Sequence, residues 1–371
     1  MNPSQKPIKV VYIVGGLPYG GVETWLLDLA KNVPDYQIEP IVINISGKGK
    51  LKNKFKENKI SMYSVGNSYK SINTYRIDTL LKLFFLIRRI NPDLIHTSHF
   101  SADYFGRLAN IFIKKPIIAH IHNIKYEKKH HRRLANKLLS FFTTSYLSVS
   151  KDVYKKSIAK HHNTANRPVH ILSNMIDEKK FNKKDNTHKK IENKNKIIIA
   201  GIGRLVQQKN FSLLIEAFAK SRFHMQNLEL FLIGDGPEME NLKTKANSLD
   251  IADNTYFLGY REDIPKIIPN IDLLVMPSAY EGFGIAALEC FYCGIPAIVS
   301  HNTPIKDIAQ GACLPSKTTP ESLSQNIIYI TTHSDVYEKM SLTAVQIAQK
   351  HTISQYINNL KTLYRSYIKT A

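Results

Sequence analysis

The glycine-rich segment 15–23 lies between a predicted strand and a predicted amphipathic helix. It contains Gly15, Gly16, Gly20 and Gly21 and ends at Glu23. Glycines let the backbone approach a phosphate closely, and a helix N-terminus offers unpaired N–H groups and a favourable dipole. The segment lacks the G-x-G-x-x-G spacing of a nicotinamide-binding fingerprint. It predicts either a phosphate site or a glycine turn that packs a strand tightly against a helix.

A second segment, residues 201–210, occupies the matching place in the back half of the chain. Here Arg204 and Lys209 lie in a predicted loop between a strand and a helix. Two cations at the carboxyl end of a strand suit a diphosphate, because arginine offers a bidentate fork and lysine a point charge. The alternative is that both are ordinary solvated charges.

The third segment carries two carboxylates, Glu281 and Glu289, on either side of a Gly-Phe-Gly sequence. We expect a helix to begin at Gly284 and to hold Glu289 about two turns from its start. The peptide N–H groups of Phe283, Gly284 and Ile285 would then form a cradle for an oxyanion or phosphate. Flanking carboxylates accept hydrogen bonds from the vicinal hydroxyls of a sugar or ribose. This pattern is the most specific of the three.

These segments require parallel sheets to position them. Short apolar runs that do not alternate with polar residues, such as Lys9–Val14 and Leu273–Met276, predict strands buried on both faces and covered by helices. Both halves of the chain repeat this strand and helix pattern. We therefore predict an α/β fold of two facing Rossmann-like domains, with ligands in the cleft at the carboxyl ends of the strands.

The predicted domain boundaries follow composition. Residues 1–178 form the first domain, the Lys/Asn-rich residues 179–196 form a linker, and residues 197–352 form the second domain. The amphipathic residues 353–371 are expected to form a helix that crosses the linker and packs back on the first domain.

Overall composition excludes several classes of protein. The chain has 371 residues, 43% hydrophobic and 22% charged, so disordered and fibrous classes are excluded. No apolar run is long enough to span a bilayer or to serve as a secretory signal. Three cysteines do not make a disulfide framework, which favours a reducing cytoplasm.

Positive charge is concentrated in the front half, where residues 1–175 hold 28 Lys and Arg against 10 Asp and Glu. Genomic bias towards lysine is one explanation. A basic amphipathic helix around residues 125–142, including Lys128, Lys129, Arg132 and Arg133, favours an anionic membrane surface. A solvated helix face is the alternative, and no nucleic-acid-binding pattern is present.

Taken in order and spacing, the motifs resemble the GT4 family of retaining glycosyltransferases. They are Gly20–Glu23, Gly203–Lys209 and the E-x7-E segment Glu281–Glu289. Lesser matches cover nearly the whole chain. The resemblance implies the GT-B fold, with an acceptor-binding first domain and a nucleotide-sugar-binding second domain.

The resemblance also implies residue roles. Arg204 and Lys209 would hold the donor diphosphate, and Glu289 would bind the ribose. Glu281 and the amides of Phe283, Gly284 and Ile285 would hold the transferred sugar and its leaving phosphate. Gly20 and Gly21 would close on the phosphate from the first domain. The family often has glycine after the motif lysine, and we expect Asn210, which stands there, to cap a helix.

The family places a histidine at the end of a strand of its first domain. Residues 119–123 offer His120 and His122, which strand alternation puts on the same face. A lone histidine at a strand end is more often structural. Counting from Pro116, His122 matches the family position better, and His120 is the second choice.

The implied activity is transfer of a hexose or N-acetylhexosamine, with retention, from a nucleotide sugar, with UDP favoured. The expected acceptor is a lipid-linked glycan of a bacterial surface polysaccharide, at the inner face of the membrane. No Asp-x-Asp occurs, so we expect no metal and no other cofactor. The alternatives are a nucleotide-sugar epimerase of the same fold and a non-enzymatic basic protein that binds anionic lipid.

Overall fold

A computed structural model describes residues 6–124, 130–165, 167–182, 187, 189–192 and 194–368. The chain forms two compact units. The first comprises Met1–Asn174 together with Ile353–Ala371, and the second comprises Met175–Thr352.

The first unit contains a parallel sheet of seven strands. The strands are β1 (Ile8–Val14), β2 (Ile38–Asn44), β3 (Ser61–Ser64), β4 (Leu94–Ser98), β5 (Ile117–Ile121), β6 (Ser145–Ser148) and β7 (Val169–Ile171). Their order in the sheet is β3-β2-β1-β4-β5-β6-β7. Every neighbouring pair is parallel, so the carboxyl ends of all the strands lie along one edge.

Helices connect these strands. They are α1 (Gly21–Asn32), α2 (Lys52–Glu57), α3 (Ile77–Ile90), α4 (Phe100–Ile113), α5 (His130–Leu139), α6 (Lys151–Val153) and α7 (Ala159–His161). A π-helical segment, Tyr154–Ile158, joins α6 to α7.

The second unit repeats this plan with six parallel strands. They are β8 (Ile197–Ile202), β9 (Leu228–Ile233), β10 (Thr255–Gly259), β11 (Leu273–Met276), β12 (Ala297–Ser300) and β13 (Cys313–Ser316), in the order β10-β9-β8-β11-β12-β13. The helices are α8 (Phe211–His224), α9 (Met239–Ser248), α10 (Ile264–Ile267), α11 (Ile285–Tyr292), α12 (Ile305–Ile308), α13 (Pro320–Thr332) and α14 (Ser334–Gln349).

The C-terminal helix α15 (Ile353–Ile368) belongs to the first unit. A single stripe of its side chains is buried, including Tyr356, Leu360 and Tyr364. The spacing of three to four residues is that of one helical face, so burial of this stripe stabilises the helix against the unit. The predicted return of the C-terminal helix to the first domain is thus present in the structure.

Each sheet has its own core. Val11, Ile13 and Ile95 of the first sheet are completely buried, as are Ile199, Leu230 and Val275 of the second. Burial of such side chains stabilises each unit by roughly 1.5–3 kcal/mol per residue relative to exposure. The continuous apolar runs of the sequence therefore correspond to strands covered on both faces by helices.

The segment predicted to be a linker differs from that expectation. The boundary between units lies at Asn174 and Met175, ahead of the predicted one, and residues 175–196 belong to the second unit. Ile191 is 4% exposed and joins the second core, and the Lys189 ammonium donates to the carbonyl oxygen of Pro269. Lys194 and Lys196 add ion pairs with Asp272 and Glu229. Composition averaged over the segment does not reveal these contacts.

None of the described helices is long and apolar enough to cross a bilayer.

Candidate functional site

In the second unit, the strand order reverses between β8 and β11, which lie next to each other. Ligands of open α/β sheets bind at the carboxyl ends of strands where the order reverses. The loop after β8 carries Arg204 and a single 3-10 turn, Gln207–Lys209, and the loop after β11 carries Glu281. Two of the motifs predicted to bind a donor therefore meet at the expected place.

Lys209 and Glu281 form an ion pair at this point. The Lys209 Nζ lies 2.5 Å from Glu281 Oε1, and the Ser278 hydroxyl donates to the same oxygen at 2.8 Å. Backbone contacts hold the two loops together, because the Ala279 N–H donates to the Gln208 carbonyl oxygen at 2.9 Å. The Glu281 carboxylate is largely buried, so its position is fixed by these contacts.

Arg204 differs from Lys209 in being exposed. Its guanidinium makes no hydrogen bond or ion pair with any residue that the structure describes. Gly203 beside it has a φ of 146°, and the Lys209 side chain lies over it, with Cε 3.0 Å from where a Cβ would stand. The loop thus holds Lys209 in place through its ion pair with Glu281, whereas Arg204 is exposed and can reach an anion.

The loop before α11 forms the predicted cradle. Gly284, with a φ of 119°, is the N-cap, and Phe283 and Ile285 flank it. Their three peptide N–H groups donate to no acceptor within the described residues, whereas the Phe283 carbonyl accepts from Ile305 N–H at 3.2 Å. The open donors at a helix N-terminus favour an anion.

The position of Glu289 corrects one expectation. The helix begins at Ile285, so Glu289 lies just over one turn from its start rather than two. Positive φ at Gly284 ends the preceding loop and excludes that residue from the helix. Glu289 is half-buried on α11, one turn below the open N–H groups.

Asn210 also corrects an expectation. It precedes α8 with a φ of 55° and makes no capping hydrogen bond through its side chain. Asparagine is tolerated here because it enters the left-handed region more readily than most residues, the property that glycine has to a greater degree.

In the first unit, the strand order reverses between β1 and β4. The loop after β1 leads to Gly20 in extended backbone and to Gly21, the first residue of α1. Glu23 is buried and folds back so closely that a Cβ on Gly20 would lie 2.4 Å from its Oε2. A carboxylate at the third helical position that turns back on the N-cap suits the positive end of the helix dipole.

His120 and His122 lie on the same face of the sheet, as strand alternation predicts. Their ring centroids are 3.8 Å apart, and the ring of Trp25 on α1 lies 4.9 Å from each. His120 is completely buried, whereas His122 keeps part of its surface exposed. His122 Nε2 lies 3.4 Å from the Ser98 hydroxyl at the end of β4.

Burial determines the charge of these histidines. It lowers the pKa of both imidazoles well below the usual range, and neighbouring imidazoles, that of His122 for His120 and that of His99 for His122, lower it further. Both side chains are therefore neutral at physiological pH, and each has one N–H donor and one acceptor nitrogen.

His99, which the sequence did not single out, lies at the same edge with strained backbone. Its φ of 77° and ψ of 154° fall in a region that is essentially restricted to glycine. Its Nε2 lies 3.6 Å from Glu23 Oε1, so it joins the loop after β4 to the start of α1. Strain of this kind persists only where surrounding contacts hold it.

The predicted basic surface is described in part, because Lys128 and Lys129 lie outside the described residues. The Arg132 guanidinium lies over the Phe100 ring at 4.5 Å, and Arg133 lines a groove between α5 and α7. The groove is also lined by His130, Leu134, Lys137, Lys160 and His161. Lys160 and His161 are additions to this surface that adjacency in sequence could not reveal.

Among the described residues, no group of three or more His, Cys, Asp or Glu side chains is arranged to hold a metal ion.

The chain is similar to known glycosyltransferases. A family model described as "Glycosyl transferases group 1" matches residues 182–347, and one described as "Glycosyltransferase Family 4" matches residues 19–180. A curated relative from Escherichia coli, UDP-Gal:alpha-D-GlcNAc-diphosphoundecaprenol alpha-1,3-galactosyltransferase, is 28% identical over 240 residues. That match covers 60% of this chain and 61% of the relative, so the chain spans about three fifths of its length.

Two solved structures share the fold. Anabaena Alr3699/HepE in complex with UDP and glucose has a TM-score of 0.83 at 19% identity, covering 97% of this chain and 100% of that one. WaaG, a glycosyltransferase involved in lipopolysaccharide biosynthesis, has a TM-score of 0.69 at 16% identity, covering 96% and 99%.

Proposed function

Because the chain belongs to the GT4 glycosyltransferases and has their GT-B fold, we propose that it is a retaining hexosyltransferase. The donor is a nucleotide sugar, with UDP as the favoured nucleotide. The acceptor is a hydroxyl of a lipid-linked glycan in the synthesis of a bacterial surface polysaccharide, such as capsule, O-antigen or exopolysaccharide.

The observation that carries this proposal is the meeting of Lys209, Glu281 and the open N–H groups before α11 at one edge of the second sheet. Cations and helix N–H groups bind phosphate oxygens, and carboxylates bind sugar hydroxyls. In this proposal, Arg204 and Lys209 bind the diphosphate, Glu289 the ribose, and Glu281 the transferred hexose. Phe283, Gly284 and Ile285 contribute backbone N–H groups. Gly20 and Gly21 are the proposed phosphate-binding residues of the first unit.

The same residues define the proposed chemistry. As the bond from the sugar to the diphosphate breaks, negative charge grows on the leaving phosphate, and the two cations and the N–H groups stabilise it. This stabilisation needs no divalent ion, so the proposed reaction is independent of metal. The acceptor hydroxyl attacks the oxocarbenium-like sugar on the face that the phosphate leaves, and the phosphate takes its proton. No protein nucleophile is assigned.

His122 is the proposed catalytic-pocket histidine of the first unit, in preference to His120. It retains exposed surface at the carboxyl end of β5, whereas His120 is completely enclosed. A neutral imidazole there donates or accepts one hydrogen bond to a sugar hydroxyl without adding a charge.

The relatives support the choice of substrates. The name of the E. coli relative specifies UDP-Gal as donor and a diphosphoundecaprenol-linked sugar as acceptor. The HepE structure contains UDP and glucose. A nucleotide-sugar epimerase of the same fold is the alternative, and it would convert one nucleotide sugar into another without forming a glycosylated product.

The first unit supports attachment to the inner face of the membrane. Leu134, Leu138 and Phe141 are 61%, 57% and 63% exposed beside the basic groove of α5 and α7. Burial and the charges of Arg133, Lys160 and Lys137 lower the pKa of His161, and these cations line the same groove. Clustered cations beside exposed apolar side chains suit an anionic lipid surface.

The test is a panel of UDP, GDP, ADP and dTDP with their common sugars, each with and without EDTA. A true donor should raise the unfolding temperature, because a ligand at 100 times its dissociation constant adds about 2.7 kcal/mol of stability. Donors that bind are then incubated with extracted lipid-linked glycans. A glycosylated lipid supports the transferase, and a new nucleotide sugar without it supports the epimerase. No binding and no product would reject both.

A further inference from the structure

A chain of buried polar side chains joins the C-terminal helix to the histidines of the first unit. The Tyr364 hydroxyl on α15 lies 2.6 Å from His96 Nδ1, although 268 positions separate the two residues. His96 Nε2 lies 3.1 Å from His120 Nδ1, and the His120 ring contacts that of His122, with the two ring planes tilted by 36°. All of these contacts lie within the first unit.

The contacts from Tyr364 through His96 to His120 determine which nitrogen carries the proton on each of the two imidazole rings. Burial lowers the pKa of His96 to about 3 and that of His120 well below its usual range, so each ring is neutral and has a single N–H. A hydrogen bond between two neutral imidazoles requires one donor and one acceptor, so the protonated nitrogen of one ring determines that of the other.

The hydrogen bonds of Tyr364 give the direction of donation. The Tyr364 hydroxyl donates its single proton to the Tyr12 hydroxyl at 3.3 Å, so its oxygen accepts from His96 Nδ1 at 2.6 Å. His96 Nε2 then carries no proton and accepts from His120 Nδ1 at 3.1 Å. His120 Nε2 carries no proton either, and it has no hydrogen-bond partner among the described residues.

We infer that Tyr364 is a positioning residue for His122, and that it acts through His96 and His120 to orient the imidazole of His122. This inference rests on the proposed role of His122. The packing supports it, because the Trp25 ring contacts the rings of His96, His120 and His122 and also that of Tyr356 on α15. A histidine held by packing and by a hydrogen-bonded neighbour keeps one orientation, as an active site requires.

The same helix provides a matched control. Tyr367 lies one turn after Tyr364, and its hydroxyl lies 2.8 Å from His170 Nε2 on the edge strand β7. Tyr364→Phe and Tyr367→Phe therefore each remove one hydroxyl that meets one histidine, and they differ in which histidine is affected. Tyr12→Phe removes the hydroxyl at the longer distance.

The first measurement is independent of activity. Two-dimensional 15N–1H spectra of the full-length chain report the tautomer of each imidazole, with signals assigned by single histidine substitutions. Tyr364→Phe should change the tautomer signals of His96 and His120 and shift that of His122. Tyr367→Phe should change only His170. Unchanged His96 and His120 signals in Tyr364→Phe would overturn the proposal that Tyr364 acts through these two histidines.

The second measurement is turnover. Tyr364→Phe should lower the rate of nucleotide release from UDP-galactose or UDP-glucose, whichever the enzyme uses, by about tenfold. Donor affinity should stay within about twofold, since the proposed diphosphate ligands are elsewhere. Tyr12→Phe should have a smaller effect and Tyr367→Phe none.

Equal losses of turnover in Tyr364→Phe and Tyr367→Phe would reduce the role of Tyr364 to general helix packing and overturn the proposal. A tautomer change without loss of turnover would overturn it as well. If no nucleotide sugar is turned over by the native chain, the proposed function fails, and the spectra still decide whether Tyr364 sets the tautomers.

Discussion

The ammonium group of Lys209 lies 2.5 Å from the carboxylate of Glu281, although 72 positions separate the two residues. Each comes from a loop that follows a central strand, and the pair joins those loops at the reversal point of the second sheet. Both side chains are mostly buried, so the pair holds the loops in one arrangement before any ligand arrives.

A double-mutant cycle should measure this coupling. Lys209→Met and Glu281→Gln should each lower the free energy of unfolding, and together they should show a coupling of about 1–2 kcal/mol. Urea unfolding gives these values. The exposed pair Lys243 and Glu240 on α9 is the control, and the same cycle there should give less than about 0.5 kcal/mol. Equal coupling in both cycles would contradict a special role for the inner pair.

Arg204→Ala should weaken donor binding without destabilising the fold. Its side chain is exposed and bonded to no described residue, so the unfolding temperature without ligand should stay within about one degree. Loss of a bidentate phosphate contact should weaken UDP binding at least about tenfold by titration calorimetry. Arg261→Ala, which removes an exposed arginine paired with Asp263, should leave UDP affinity unchanged.

Three buried histidines and the partly exposed His122 should make the protein sensitive to acid. Burial lowers the pKa of His96 to about 3 and those of His120, His122 and His162 well below the usual range. In the unfolded chain each binds a proton near pH 6.5, so below that pH the unfolded state holds more protons than the folded state. The free energy of unfolding should therefore fall as the pH falls below about 6.5, by about 1.4 kcal/mol per pH unit for each histidine.

Urea unfolding between pH 7.5 and 5 checks this dependence. His162→Gln should reduce the slope by one histidine's share, since its imidazole no longer titrates. His333→Gln, at an exposed position, should leave the slope unchanged. An identical slope in His162→Gln and the native protein would show that burial of this imidazole does not govern the pH dependence.

Replacing His99 by glycine and by alanine, and comparing the stabilities of the two variants, should reveal the strain in its backbone. Glycine adopts a φ of 77° freely and alanine does not, so His99→Gly should be about 1–2 kcal/mol more stable than His99→Ala. At Lys82, in the middle of α3, the order should reverse, because glycine is about 1 kcal/mol worse than alanine in a helix. The same order at both positions would contradict the strain at His99.

Binding of the basic surface around α5 and α7 to a membrane should be measurable with lipid vesicles. Binding to phosphatidylglycerol vesicles, followed by co-sedimentation, should fall about tenfold in the double variant Leu134→Gln and Leu138→Gln. Binding to phosphatidylcholine vesicles should be weak throughout. Phe223→Gln removes an apolar side chain that is 83% exposed in the second unit, and it should bind anionic vesicles normally. Equal losses of vesicle binding in the double variant and in Phe223→Gln would show that Leu134 and Leu138 do not form the membrane contact.

Local sequence signals predicted much of this molecule. Buried parallel strands appear in sequence as uninterrupted apolar runs, and their ends locate Lys209 and Glu281 without knowledge of the contact between them. Strand β3 (Ser61–Ser64) has no such run, because it is a short edge strand with largely exposed residues. The apolar pattern over 72–90 predicts one helix, whereas α3 begins at Ile77 and a separate 3-10 turn covers Tyr69–Ile72.

The remainder depends on contacts between residues distant in sequence. Nothing near Tyr364 indicates His96, and nothing near Glu23 indicates His99. Such pairs are created when strands and helices pack, and a single sequence carries no periodic signal for them. The histidine pair was predicted because alternation along one strand is local, but its partner Trp25 was not.

The return of α15 to the first unit has a consequence for how the protein is made. Residues 353–368 leave the ribosome after the whole of the second unit, so the first unit stays without Tyr356, Leu360 and Tyr364 until then. Domains usually fold in order as they emerge. Here the histidines of the first unit gain their supporting helix last, and a nascent chain would acquire a fully assembled first unit only after the second unit has been synthesised.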